Sequence, residues 1–310
     1  MQPLSSTSLV DRVRGELGSQ GASRRRKPIR SPRMEVVATT DAHEGPVYAA
    51  DEHALYFTTK PIQGDPPRVD IKRLDLASGE ITVVRADANV ANGMAIGTDG
   101  RLIVCEQGSF HEPARISSVD RRSGATQTVT DNWGGRPLNS PNDVVVARDG
   151  SVWFTDPSYG HLQGFRPAPA VGDHVYRHDP ATRKTTRVAF GFDKPNGLAF
   201  SPDERTLYVA DNGAPHHLLA FPVAGGRLGA GRVIAQGTPE HPDGLKVDVA
   251  GRIYASASTG VRIHAPDGAL LDEIHLPGTV NFCFGGPGRD VLFITTDTAI
   301  VAAVLHAKGA

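Results

Sequence analysis

Polar and apolar positions along the chain repeat one scheme. A polar residue is followed by an apolar run of about four, a turn rich in Asp and Gly, and a second apolar run near ten residues on. The scheme appears at "EGPVYAADEHALYFTT" (44–59), "NGMAIGTDGRLIVCEQG" (92–108), "NDVVVARDGSVWFTDPS" (142–158), "NGLAFSPDERTLYVADN" (196–212), "DGLKVDVAGRIYASAS" (243–258) and "NFCFGGPGRDVLFITTD" (281–297). Two short apolar runs separated by turn residues predict a β-hairpin. Alternating segments between the copies, such as 68–85, 114–131 and 173–190, predict a third and fourth strand for each unit.

The copies start 48, 50, 54, 47 and 38 residues apart, the period of a four-stranded propeller blade. The expected fold is therefore all-β, a six-bladed β-propeller. After the last copy only "TAIVAAVLHA" (298–307) remains for a further strand, so "MEVVATT" (34–40) is expected to supply the outer strand of the last blade and close the ring. A β-sandwich needs no regular period, and an open solenoid leaves unpaired edges at both ends.

Composition agrees: the chain of 310 residues carries 34 Gly and 23 Pro, as many tight turns require. Residues 1–33 are basic and rich in Ser, Pro and Gly and are expected to form a poorly ordered tail, with the propeller over 34–310. Arg24–Arg26 is not followed by the apolar segment of a twin-arginine signal, and no stretch approaches the ~20 apolar residues that span a bilayer. A cytoplasmic protein without a membrane partner is expected. A formal charge of −1 gives no reason to expect a nucleic acid partner. Cys105 and Cys283, the only cysteines, are expected as small buried residues.

If the first strand of each hairpin is the innermost of its blade, six polar starts converge on one mouth of the central channel: Glu44, Asn92, Asn142, Asn196, Asp243 and Asn281. Four of the chain's eight asparagines occupy this register, and every member has a side-chain oxygen. Such a ring, with no thiol or imidazole, suits a hard divalent cation, Ca²⁺ foremost, with Mg²⁺ or Mn²⁺ as alternatives and Zn²⁺ kept beside them. Without a cation the two carboxylates would repel each other in a low-dielectric channel.

The strings "HEGPVY", "NSPNDV", "WFTDPSYG", "KPNGLAFSPDE" with "LYVADN", and "HPDGLKVD" resemble, in order, the signatures of the senescence marker protein/gluconolactonase/luciferin-regenerating-enzyme family of six-bladed propellers. The resemblance implies a metal held by the Glu of EGP, the Asn of PNG and the Asp of PDG, which fall on Glu44, Asn196 and Asp243. The Asn of PND, here Asn142, is implied as a further ligand or substrate contact, while Asn92 and Asn281 are expected to bond groups around the ligands. Where the animal aldonolactonases carry an Arg two positions before the substrate-contacting Asn, this chain has Ser140. A cation that would pair with hydroxyl-rich substrates is thereby absent.

The implied activity is hydrolysis of a small lactone, a sugar lactone or another. A divalent cation can polarise the ester carbonyl and lower the pKa of a water, and Asp243 is the candidate to orient or deprotonate that water. No competing machinery is legible: there is no G-x-S-x-G, no H-E-x-x-H, and "AGGRLGAGR" (224–232) reads as a hairpin turn rather than a phosphate loop. Tyr159 and His161, in a long Pro/Gly-rich connection of the third blade, are candidate substrate contacts. Asp156 and Asp211 are expected to cap the turns that follow them, His43 and His241 to pack near the channel, Trp153 to sit in the core, and Asp143 to point away from Asn142. Hydrolysis of phosphotriesters or other esters with the same metal, and ligand binding without catalysis around a structural metal, are the alternative functions.

Overall fold

The computed structural model describes residues 32–214, 216–236 and 242–310. It is a six-bladed β-propeller. Each blade is an antiparallel sheet, and in the first five the principal strands follow sequence order from the channel outward. In the third blade, for example, Val144–Val146 pairs with Val152–Asp156, which pairs with His174–Asp179, which pairs with Lys184–Phe190. The fourth blade carries an additional small hairpin in which Arg227–Leu228 folds back on Val223–Ala224, so that Gly225–Gly226 is the expected turn.

The ring closes as the chain pattern anticipates. Met34–Thr39 pairs antiparallel with Ala299–Val304 as the outermost strand of the last blade, with a bulge between Val36 and Ala38. Closure of this kind removes the exposed inner edges that an open array of sheets would leave.

Between adjacent blades lie six separate apolar clusters, one for each interface. The second strands Ala54–Thr58, Leu102–Glu106, Val152–Asp156, Ile253–Ala257 and Val291–Thr295 are buried on both faces along their whole length. This is why they read as continuous apolar runs rather than as alternations. Trp153 is 2% exposed within one such cluster, its Nε1–H donating to Ser151 Oγ. Cys105 and Cys283 are buried and unpaired.

Two features add to the pattern. A two-stranded hairpin, Asn132–Trp133 with Arg136–Pro137, lies in the crossover that leads to Asn142. The connection after Asp156 opens with a helical turn, Tyr159–Leu162 (α1), the one helix among the described residues. At four residues it is too short to produce a helical period in the sequence. No helix among the described residues is long and apolar enough to cross a membrane. The expected N-terminal tail and His241 lie largely or wholly outside the described residues.

Candidate active site

The six polar residues of the expected ring stand at or just before the start of the innermost strands, and bonds between neighbouring blades fix them there. Gly93 N–H donates to Asn142 O at 2.8 Å and Gly197 N–H to Asp243 O at 3.0 Å. Thr58 Oγ1 donates to Asn92 O, Thr155 Oγ1 to Asn196 O and Thr295 Oγ1 to His43 O. At five of the six junctions a blade thus holds the main chain at or beside the next blade's ring residue.

That contact explains the residue following each ring member, which is Gly in four blades: Gly45, Gly93, Gly197 and Gly244. A Cβ on Gly197 would lie 2.2 Å from Asp243 O, and one on Gly244 would lie 2.2 Å from Asn281 Oδ1. Only glycine lets the blades approach so closely.

Glu44, Asn92, Asn142, Asn196 and Asn281 are all buried. Asn281 Nδ2 donates to Glu44 Oε2 at 2.6 Å, and its own Oδ1 accepts the Phe282 N–H. Asn92 Nδ2 donates to Asn142 O at 3.1 Å. The Asn196 amide favours the charged forms of both the Asp243 carboxylate and the Tyr159 hydroxyl, so the first residue of α1 lies near the ring. Asp243 is partly exposed as a residue, yet its Oδ1 is enclosed and has no hydrogen-bond partner.

Asp143 is the residue that reasoning from the sequence set apart. It occupies the position that is Gly in four of the other five blades and Phe282 in the last, and its Oδ1 lies against Gly93 of the second blade, where an added Cβ would come within 2.6 Å of it. Val144 N–H donates to Oδ1, and Oδ2 is enclosed without a partner. Aligning the repeats marks it as the one acid in a column that is otherwise four glycines and Phe282.

Burial, above all, raises the pKa of Glu44, Asp143 and Asp243. Asp243 is pushed well up, with the charges of Glu44 and Asp143 adding to burial, and Asp143 likewise raises Glu44. Lys246, on the innermost strand of the fifth blade, eases the charge on Asp143. Three enclosed carboxylates, two with an oxygen left over, form a site short of positive charge. Among the described residues no three His, Cys, Asp or Glu come together as a metal-binding group, so a cation here would rely on amide oxygens as well. The donors are oxygens of carboxylates and amides, which fits a hard divalent ion.

Elsewhere the geometry departs from expectation. Asp156 does not cap the turn after it. Its two oxygens accept the N–H groups of Asn139 and Ser140 in the crossover leading to Asn142, and burial pushes its pKa up to about 7. Asp211 does the same for Asp193 and Lys194 ahead of Asn196. A carboxylate at the end of the second strand meets the incoming crossover, a juxtaposition that sequence order does not display. His161 is exposed and lines a shallow cleft with Pro137, Ser140, Arg166 and Ala170, a cleft lined by none of the ring residues. His43 pairs through Nδ1 with Asp297 Oδ1 at 2.6 Å, and Lys60 holds the other oxygen of that carboxylate.

The protein is thus a six-bladed propeller whose channel mouth gathers buried amides and carboxylates, with no thiol among them. Residues 42–298 match the SMP-30/gluconolactonase/LRE-like region, and the chain belongs to that family. A gluconolactonase of Zymomonas mobilis is 31% identical over 86% of this chain and 80% of its own length. The pentonolactonase XacC of Haloferax volcanii is 29% identical over 82% and 80% of the two chains. Among solved structures, a gluconolactonase from Xanthomonas campestris superposes with a TM-score of 0.77 at 34% identity, covering 88% of this chain and 90% of that one.

Proposed function

We propose that the protein is a lactonase that opens a small lactone ring by hydrolysis, with a divalent cation held by Glu44, Asn142, Asn196 and Asp243, Ca²⁺ first among the candidates. The observation that carries this reading is the enclosed, unpartnered Oδ1 of Asp243 beside two further buried carboxylates, Glu44 and Asp143. A buried carboxylate oxygen without a donor is costly, and a cation held by Glu44 and Asp243 together with the two amides would satisfy Asp243 Oδ1 and offset the nearby charge of Asp143. The related gluconolactonases and pentonolactonase support the reaction class.

When bound, the cation supplies Lewis acidity, polarising the ester carbonyl and making a nearby water more acidic. The chain supplies the geometry. Asn281 holds Glu44 through the 2.6 Å bond to Oε2, and Asn196 stands beside both Asp243 and Tyr159. Asp243, through the carboxylate oxygen not committed to the cation, orients the attacking water and receives its proton. Tyr159, on α1, and Asn142 offer a hydroxyl and an amide to the lactone oxygens. Asn92 keeps the Asn142 main chain in place.

The test is a panel of glucono-, xylono- and unsubstituted lactones with an organophosphate ester beside them, each assayed with and without EDTA. Hydrolysis of lactones, abolished by EDTA and restored by a divalent cation, is the expected result. Lactone turnover untouched by EDTA would remove the cation from the mechanism, and no turnover of any lactone would remove the reaction class.

A further inference from the structure

Residues 138–140, just before Asn142, are gripped from both sides by opposite charges. Arg166, 7% exposed, places its guanidinium on main-chain carbonyls alone: Nε on Asn139 O at 2.9 Å, one terminal nitrogen on Leu138 O at 3.0 Å, and the other on Ser109 O at 3.0 Å. On the other side, Asp156 accepts the N–H groups of Asn139 and Ser140, both at 2.9 Å. Ser140 then ties this crossover to α1, since its Oγ donates to Pro157 O and accepts Gly160 N–H at 2.9 Å. Both anchored segments run directly to a proposed substrate contact: Asn142 stands two residues after Ser140, and Tyr159 immediately precedes Gly160.

A buried guanidinium with no carboxylate in direct contact is an expensive way to hold a loop; an apolar side chain of the same length would fill the space at lower cost. What the guanidinium does, and an apolar side chain cannot, is fix carbonyls of two blades in one plane of donors. Gly160 belongs to the same arrangement, because a Cβ there would lie 2.3 Å from Arg166 Cγ.

We infer that Arg166 and Asp156 are a paired clamp that positions Asn142 and Tyr159 relative to each other, and so sets which lactone substituents the site accepts. The inference rests on the reading of Asn142 and Tyr159 as substrate contacts. Ser140, the place where the animal relatives carry a substrate-pairing Arg, serves here as the joint between the two segments rather than as a contact. Neither Arg166 nor Asp156 touches substrate; both are positioning residues.

Arg166→Met keeps the stem and removes the donors. Its kcat/KM for gluconolactone is expected to fall 10- to 100-fold, while that for γ-butyrolactone, which has no substituent to present to Tyr159, changes less than 3-fold. Arg166→Lys, which can satisfy part of the carbonyl set, is expected to fall between. Loss by the same factor on both substrates, or on neither, overturns the inference. Should Arg166→Met fold poorly, Ser140→Ala removes only the joint, and a 3- to 10-fold loss confined to gluconolactone is expected; equal rates on both substrates again overturn it. Amide hydrogen exchange separates this from the functional reading: faster exchange confined to 138–143 and 158–161 in the variant supports the clamp even in a protein without lactonase activity, and unchanged exchange there refutes it.

Discussion

Asp243→Asn should make the cation-free protein more stable and the cation-loaded protein less so, a reversal that an ordinary structural residue would not give. In the wild type the Asp243 carboxylate is enclosed, has one oxygen without a partner, and feels the charges of Glu44 and Asp143. Two like unit charges about 4–8 Å apart at an effective dielectric of 20 repel by about 2–4 kcal/mol. An amide of the same size removes the charge. A gain of about 2–4 kcal/mol at pH 8 in EDTA follows, or roughly 4–8 °C in Tm at about 2 °C per kcal/mol for a domain of this size.

Added cation at 100 times its Kd stabilises a binding-competent protein by about 2.7 kcal/mol, roughly 5 °C. The wild type should show that shift and the variant less than about 1 °C. Differential scanning fluorimetry with EDTA and then with Ca²⁺, Mg²⁺, Mn²⁺ and Zn²⁺ measures both halves, and lactone turnover in the variant should drop by at least about 100-fold. A variant less stable than wild type in EDTA, or one that keeps the cation shift, would falsify the electrostatic account of the site.

The pH dependence of the cation-free protein has a definite sign. Glu44, Asp143, Asp156 and Asp243 all have folded-state pKa values raised mainly by burial, that of Asp156 to about 7. The folded state therefore binds protons more tightly than the unfolded chain between their ordinary values near 4 and the raised ones, so stability falls as pH rises through this window. Tm in EDTA should be lower at pH 8 than at pH 5.5, with saturating cation reducing the difference; a flat or rising profile contradicts the buried-charge reading. Gly244→Ala drives a methyl group to 2.2 Å from Asn281 Oδ1, the residue that holds Glu44. Activity should fall at least tenfold and stability by about 1–3 kcal/mol, read from kinetics and urea unfolding, and wild-type behaviour in both would show that the blades can separate at no cost.

The propeller was legible in the chain because its cause is local and repeated. Each hairpin needs an apolar run, a turn and another apolar run, and six copies at one period admit few other arrangements. The strand that closes the ring, Met34–Thr39, followed from counting what the last blade lacked. The family-specific strings and the recurring polar starts likewise brought Glu44, Asn142, Asn196 and Asp243 together on paper, because a polar residue repeated at every blade entrance must meet its counterparts at the axis.

What the chain by itself did not disclose are the relations between residues that only closure of the ring makes neighbours. Thr58 and Thr155 hold the next blade's ring carbonyl and Thr295 the carbonyl just before it, yet each reads in sequence as the polar end of a strand. Asp143 appeared to face away because alternation along a strand assigns it the opposite side; in a propeller both sides of an innermost strand face buried space, one of them a neighbouring blade. Asp156 and Arg166 meet residues 138–140 across connections whose course no local period encodes. Periodicity determined which residues form strands and which end of each blade is polar, since those follow from burial and turn chemistry along a few residues. The tertiary structure decided which carboxylates share one enclosed space, and electrostatics in that space, falling off with distance rather than with sequence separation, is what makes it a site.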